Sequence, residues 1–225
     1  MKKTKKLVIF GLEEIANIAH EYFTYDSEYE VVAFSVNRDY ITSPEFKGCP
    51  VVPLEELVAI YPPSCYLVFV AMYSSQLNRN RARIYNNIKE MGYKFANYIS
   101  SRCFVWHNVE IGDNCFILED NTLQSFVKIG NNVTLWSGNH IGHNTKIGDN
   151  SFISSHVVIS GFCEIGKNCF IGVNSAVANN VKIADDNFIA MGTNINKDTK
   201  ENQVFKGNFG VVSAVPARDY CKIKE

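Results

Sequence analysis

Sixteen positions, each six residues after the last, carry Ile, Leu or Val: Val105, Ile111, Ile117, Leu123, Ile129, Leu135, Ile141, Ile147, Ile153, Ile159, Ile165, Ile171, Val177, Ile183, Ile189 and Ile195. A period of six fits neither the 3.6-residue helix nor a simple alternating strand. It fits a coil in which every sixth side chain points to an axis and the backbone turns in between. A second period lies on the first. Ile111-Gly112-Asp113-Asn114 returns as Ile129-Gly130-Asn131-Asn132, Ile147-Gly148-Asp149-Asn150, Ile165-Gly166-Lys167-Asn168 and Ile183-Ala184-Asp185-Asp186, at intervals of 18. Three hexapeptides therefore close one coil, and the coil is a triangular prism. Gly, Asn and Asp suit the left-handed backbone that its corners require. The expectation is a left-handed parallel β-helix of about five coils with no insertion.

The register assigns other residues. Cys103, Cys115, Cys163 and Cys169 fall two positions before the apolar residue, a slot held at most other coils by Val, Thr or Ser, and read as packing groups. Phe116, Phe152, Phe170 and Phe188 fall just before it on one face, with Thr134 interrupting the series. An outward aromatic ladder predicts a covered surface, and a subunit interface is the expectation.

Residues 1–98 read differently. Leu7–Phe10, Val31–Val36, Val51–Val52 and Tyr66–Ala71 read as strands. Helical spacing covers Ile15 to Phe23, Leu54 to Ile60 and Leu77 to Met91, and Phe95 to Ile99 closes the half. The alternation predicts a small parallel α/β sheet of Rossmann-like order. The layout is thus α/β followed by β: 1–98, then the helix at 99–198, then a tail at 199–225.

Charge excludes some functions. Twenty-two basic residues balance 23 acidic ones, which leaves no basic surface for non-specific nucleic-acid binding. No apolar run reaches the length of a membrane span. The lysines from Lys2 to Lys6 read as a solvated end, and no secretion signal is expected. Seven cysteines without a pairing pattern suit a reducing cytoplasm.

The hexapeptide run, above all Ile141-Gly142-His143-Asn144-Thr145-Lys146-Ile147-Gly148 and Ile165 to Ser175, resembles that of the left-handed β-helix acyltransferases. The whole layout is similar to sugar acetyltransferases grouped with sialic acid O-acetyltransferases and with the UDP-amino-sugar N-acetyltransferases of the bacillosamine pathway. Val215-Pro216-Ala217-Arg218 resembles the terminal Gly-x-Pro-Ala-Lys/Arg element of that family without its Gly. The resemblance implies a homotrimer, with acetyl-CoA in the groove between adjacent β-helices and a nucleotide-linked sugar on the N-terminal domain. It implies that His143 is the base, at the family's His-Asp/Glu-x-x-Ile-Gly position. Asn144 stands where the family has the acid, and Glu119 and Asp120 are the candidates to replace that carboxylate.

The chemistry agrees with a histidine. Acetyl transfer needs a base that works near neutral pH, and imidazole is unperturbed at about pH 6.5. His140 and His156 are the alternative bases, or else contacts for the sugar or plain surface. By the resemblance, Gly161, Gly172, Val173, Ala190 and Met191 lie along the pantetheine, where small side chains admit the cofactor. Gly11, Asn37, Arg38, Asp39 and Ser74 lie at the nucleotide. The single glycine of Phe10-Gly11-Leu12-Glu13-Glu14 falls short of a dinucleotide fingerprint, so NAD is not expected. The histidine spacings of 3 and 13 differ from those of the zinc-binding β-helix carbonic anhydrases, so no metal is expected. The leading expectation is an acetyl-CoA-dependent N-acetyltransferase of a nucleotide-linked amino sugar for surface glycans. Transfer to a sugar hydroxyl and a non-catalytic trimeric scaffold are the alternatives.

Overall fold

The computed structural model describes residues 2–207 and 212–222; positions 208–211 and 223–225 of the tail lie outside the described residues. The N-terminal half runs β1 (Lys5–Phe10), α1 (Glu14–Tyr25), β2 (Tyr29–Val36), β3 (Glu45–Phe46), β4 (Cys49–Pro53), α2 (Leu57–Ile60), β5 (Leu67–Val70) and α3 (Arg79–Glu90). The sheet order is β3-β4-β2-β1-β5. All pairs are parallel except β3 with β4, so the expected parallel sheet carries one short antiparallel edge. Leu7 and Ile9 of β1 face Ala16, Ala19 and Phe23 of α1, whereas Val8 and Phe10 face Ile84 and Ile88 of α3. Burial on both sides explains why β1 is a continuous apolar run.

The basic N-terminus is not a merely solvated end. Lys3 Nζ donates to the carbonyls of Phe23 (2.8 Å), Thr24 (2.5 Å) and Ser27 (3.0 Å), closing the C-terminus of α1. A cation there satisfies carbonyls that the helix cannot.

From Tyr98 onward the chain builds three parallel sheets that form a β-helix of about six coils. The period-six Ile, Leu and Val residues stack along its axis, and those from Ile117 to Ile195 are buried. Each sheet is named here by its outer face. The aromatic sheet runs Tyr98–Ile99, Phe116–Ile117, Thr134–Leu135, Phe152–Ile153, Phe170–Ile171, Phe188–Ile189 and Val204–Phe205. The histidine sheet runs Phe104–Val105, Thr122–Leu123, His140–Ile141, Val158–Ile159, Ala176–Val177 and Asn194–Ile195. The charged sheet runs Glu110–Ile111, Lys128–Ile129, Lys146–Ile147, Glu164–Ile165 and Lys182–Ile183. The packing slot is as expected, with Cys115, Cys163 and Cys169 fully buried.

The corner between the charged and aromatic sheets is a hydrogen-bonded ladder. Asn114 Nδ2 donates to Asn132 Oδ1 (2.7 Å), Asn132 to Asn150 (2.8 Å), Asn150 to Asn168 (3.2 Å) and Asn168 to Asp186 Oδ1 (3.1 Å). The Val70 N–H of β5 donates to Asn114 Oδ1 at 2.7 Å, and Arg79 of α3 pairs with Asp186 at 2.8 Å. The ladder thus meets the N-terminal half at both ends. Its residues hold left-handed φ between 52° and 63°, which Asn and Asp tolerate.

The aromatic ladder is covered by the chain itself over its first rungs. This corrects the expectation that a second subunit covers it. Phe116 packs on Phe69 (5.3 Å between centroids) and Tyr98 (5.5 Å), and Phe152 packs on Tyr73 (5.4 Å). Thr134 breaks the phenylalanine series because Arg81 of α3 enters there. Arg81 is buried. It donates to Thr134 Oγ1 (2.5 Å) and to the Asn150 carbonyl (2.9 Å), and lies over the Phe152 ring. Burial pulls this guanidinium down to about 10.

Candidate active site

His143 sits where the histidine sheet turns toward the charged sheet. The turn residue is Asn144, with φ 58°. The His143 N–H donates to Gln124 Oε1 of the preceding coil at 3.0 Å, and the His143 carbonyl accepts the Phe162 N–H of the next coil at 2.9 Å. The backbone on both sides of the imidazole is therefore held by neighbouring coils. The ring lies on Gly161, where a Cβ atom would stand 2.8 Å from Nε2. Phe162 meets it edge to face, with centroids 4.9 Å apart and planes at 88°. Gly161 donates its own N–H to Asn179 Oδ1 at 2.9 Å.

The amide nitrogen Nδ2 of Asn144 lies 3.2 Å from His143 Nδ1. A carboxamide can present either its oxygen or its NH2 group to that nitrogen. With the oxygen turned to it, Nδ1 keeps its proton and Nε2 holds the free lone pair, the tautomer that a base acting through Nε2 needs. Only the flipped carboxamide, with Oδ1 in the place of Nδ2, would orient the ring in that way in place of the missing acid.

Neither expected substitute for that acid reaches His143. Glu119 accepts from Tyr22 (3.0 Å) and Ser137 (2.7 Å), and Asp120 pairs with Arg102 at 3.0 Å. Both lie at the opposite corner, between the aromatic and histidine sheets. Burial pushes the Glu119 carboxyl up, but the bonds from Ser137, its own backbone and Tyr22, with the Arg102 charge, hold it below the usual carboxylate range.

The other expected residues fall into groups. His140 points outward from the histidine sheet, half-buried between Thr122 and Val158. His156 turns the opposite corner, its ring packed on Gly138. Gly172, Val173, Ala190 and Met191 lie near that corner too. A Cβ at Gly172 would stand 2.5 Å from the Met191 N, so the coil itself demands this glycine. Of the five residues expected at the cofactor, only Gly161 touches His143. The two groups face away from each other across one sheet of one chain.

At the N-terminal sheet, Gly11 (φ 127°) ends β1, and a Cβ there would stand 2.5 Å from the Ala71 carbonyl oxygen. Strand β1 lies between β2 and β5, the switch point at which such sheets bind ligands. Asn37, Arg38 and Asp39 follow β2. Glu55 accepts the Arg38 N–H at 3.2 Å, and the Arg38 guanidinium pairs with Glu56. Arg38 therefore carries a partner that a phosphate would have to displace. Ser74 lies beyond β5, where its carbonyl accepts the Asn78 N–H at 3.1 Å. Tyr73 beside it, in the same expected turn, is half-exposed. A concavity of about 770 Å³ lies elsewhere, on the charged sheet. Lys128, Lys146 and Lys182 there pair with Glu110 and Glu164.

Residues 126–161 and 162–197 match the family model described as bacterial transferase hexapeptide (six repeats). No curated protein matches the chain by sequence. Among solved structures, the acetyltransferase domain of PglB from Neisseria gonorrhoeae is similar at TM-score 0.79 and 20% identity, covering 89% of this chain and 96% of that one. PerB from Caulobacter crescentus, solved in complex with CoA and GDP-perosamine, is similar at TM-score 0.76 and 19% identity, over 91% and 95%. The chain shares their fold, an α/β sheet followed by a hexapeptide-repeat β-helix. The fold likeness spans both halves, so it includes the N-terminal α/β sheet as well as the left-handed β-helix. A hexapeptide-repeat chain is not thereby assigned a substrate, because one fold hosts many functions.

Proposed function

We propose that this chain is an acetyl-CoA-dependent N-acetyltransferase of a nucleotide-linked amino sugar, with His143 as general base. The observation that carries the reading is the seat of His143. Its backbone N–H is held by Gln124, and its imidazole is flanked by Gly161, Phe162 and Asn144, with Nε2 over a position that has no side chain. In the reaction the amine nitrogen attacks the thioester carbonyl and a C–N bond forms. His143 takes the proton shed by that nitrogen. The C–S bond then breaks, and the thiolate leaves and is protonated. The fold likeness supports the choice of substrates. The PglB domain has been solved with acetyl coenzyme A, and a perosamine N-acetyltransferase from Caulobacter crescentus with CoA and GDP-perosamine.

The reading includes a homotrimer. Phe104, Trp106, Phe126 and Val158 all lie exposed on the histidine sheet or at its turns. A second copy against this face would cover them. It would also bring the Gly172–Met191 corner of one copy toward the His143 corner of another, forming a cofactor groove that one chain cannot form.

The test is release of free CoA from acetyl-CoA in the presence of UDP-, dTDP- and GDP-linked amino sugars, with the non-amino sugars as controls. Turnover confined to an amino sugar, lost in His143→Ala with trimer and acetyl-CoA binding retained, supports the reading. Turnover with a non-amino sugar moves the acceptor to a hydroxyl. Wild-type turnover in His143→Ala removes His143 from its role.

A further inference from the structure

Fourteen corner positions at intervals of six, from Asn114 to Gly192, all hold positive φ. Seven are Asn, two Asp and two Gly, types that enter this region at little cost. The other three are Phe126 (φ 63°), His156 (φ 57°) and Phe162 (φ 59°). A bulky aromatic residue is a true outlier in this backbone region. All three exceptions border one sheet, the histidine sheet. The remaining corner, the Asn ladder, has none. Asn180 holds the same corner as Phe162 one coil later, so an asparagine fits the fold there. Strain kept where a relaxed residue would serve points to function.

Burial does not explain Phe162. Its side chain is 54% exposed, so it contributes little to the core. The contact it does make is the edge-to-face one with the His143 ring, at 4.9 Å and 88°. Such pairs are directional, because the ring edge of one partner meets the negative face of the other. Gly161 immediately before it forms the floor under the same imidazole. Gly161-Phe162 therefore forms a floor and a wall around one side chain, with Asn144 at the third side.

We propose that Phe162 is a positioning residue, held at an unfavourable corner because its ring fixes the His143 imidazole upright over Gly161. The inference rests on the reading of His143 as the base. Phe162 performs no proton transfer. It restricts the rotation of χ2, so that Nε2 stays where the acceptor nitrogen arrives, and misplacement by about 1 Å can cost 10²-fold in rate.

The experiment compares Phe162→Asn with Phe162→Tyr in the full-length protein. Phe162→Asn relaxes the backbone, so its melting temperature stays equal or rises. Its kcat falls at least tenfold, while KM for acetyl-CoA and the oligomer mass hold. Phe162→Tyr, which retains the ring, recovers most of that kcat. In NMR spectra of wild type, the His143 imidazole protons carry a ring-current shift that Phe162→Asn removes and Phe162→Tyr keeps. Wild-type kcat in Phe162→Asn overturns the proposal. So does a loss confined to KM, or a loss accompanied by dissociation, each of which would mark a cofactor or subunit contact instead. An unmoved imidazole resonance overturns it without reference to turnover. Failure of the function itself shows separately, as wild-type protein silent on every acceptor or as full turnover in His143→Ala.

Discussion

The His143 imidazole rests on the α-carbon of Gly161, so near that an added methyl group would stand 2.8 Å from Nε2 and 2.9 Å from Cε1. The backbone of Gly161 does not lie in the left-handed region, so an alanine there fits the coil. What must move is the imidazole, which is the end of a side chain and gives way cheaply. Gly161→Ala is therefore expected to fold with an unchanged melting temperature and to lose about 10²-fold in kcat. Steady-state kinetics beside thermal melting check this. A variant that loses stability but not turnover would place the glycine in the coil and not in the site.

A charge at Asn144 is the second test. The residue holds φ 58°, a conformation that Asp also tolerates, so Asn144→Asp leaves the corner intact. A carboxylate beside Nδ1 favours the protonated imidazole, by Coulomb attraction and by accepting the Nδ1 proton. The base then loses its proton at higher pH. The acid limb of the kcat/KM profile is expected to move to higher pH, and by less at high salt because the site is exposed. A profile that does not move would mean that His143 does not set that limb.

Much of the fold was legible because the chain repeats. One apolar residue in six and one Gly, Asn or Asp corner in six leave a single solution, and the sheets follow it through Ile195. The motif singled out His143 in the sequence, but the setting of its ring was not legible there. Gln124, Gly161 and Phe162 lie about one coil away in sequence and meet the backbone or ring of His143 only because the coil closes every 18 residues. The docking of the two halves was not legible either. The phenylalanine ladder was visible, yet nothing in its period tells a partner subunit from the chain's own first half. Thr134 was the one sign, a gap whose filler, Arg81, lies 53 residues away in sequence.

That gap gives a prediction that runs against the pattern. Thr134→Phe would complete the ladder by sequence. In the structure it would displace the Arg81 guanidinium, a buried cation whose bonds to Thr134 and Asn150 compensate part of its desolvation. Overpacking and the loss of those bonds together are expected to cost about 3 kcal/mol. Urea unfolding of Thr134→Phe measures this, with Thr134→Ser, which keeps the hydroxyl, within about 1 kcal/mol of wild type. A stable Thr134→Phe would show that Arg81 does not anchor the docked halves.

The asparagine ladder separates bonding from backbone strain. Asn150 accepts from Asn132 at 2.8 Å, donates to Asn168 at 3.2 Å and holds φ 63°. Asn150→Gly loses both bonds but keeps the backbone free, for about 1–2 kcal/mol. Asn150→Ala loses the same bonds and adds the left-handed penalty, about 1 kcal/mol more. Equal losses in the two variants would show that the corner is relaxed without its asparagine.

Acid should loosen the contact between the halves. Burial pushes the Asp26 carboxyl up, but the Ser101 N–H and hydroxyl and the Tyr98 hydroxyl pull it down further, so it lies below its ordinary value, as does Glu119. Both carboxylates tie α1 to the first coils of the β-helix, Asp26 through Tyr98 and Ser101, Glu119 through Tyr22. A carboxyl group whose folded value is depressed binds its proton less tightly folded than unfolded. Its stabilisation is complete above the ordinary carboxylate range, near pH 4, and is lost as pH falls through the depressed value. The melting temperature is therefore expected to hold from pH 7 to about 5 and to fall below 4. The double variant Asp26→Asn, Glu119→Gln starts lower at pH 7, since it lacks both charges, and falls less on acidification. If its curve ran parallel to that of wild type down to pH 3, the acid sensitivity would belong to other carboxylates, and these two would join the halves by packing alone.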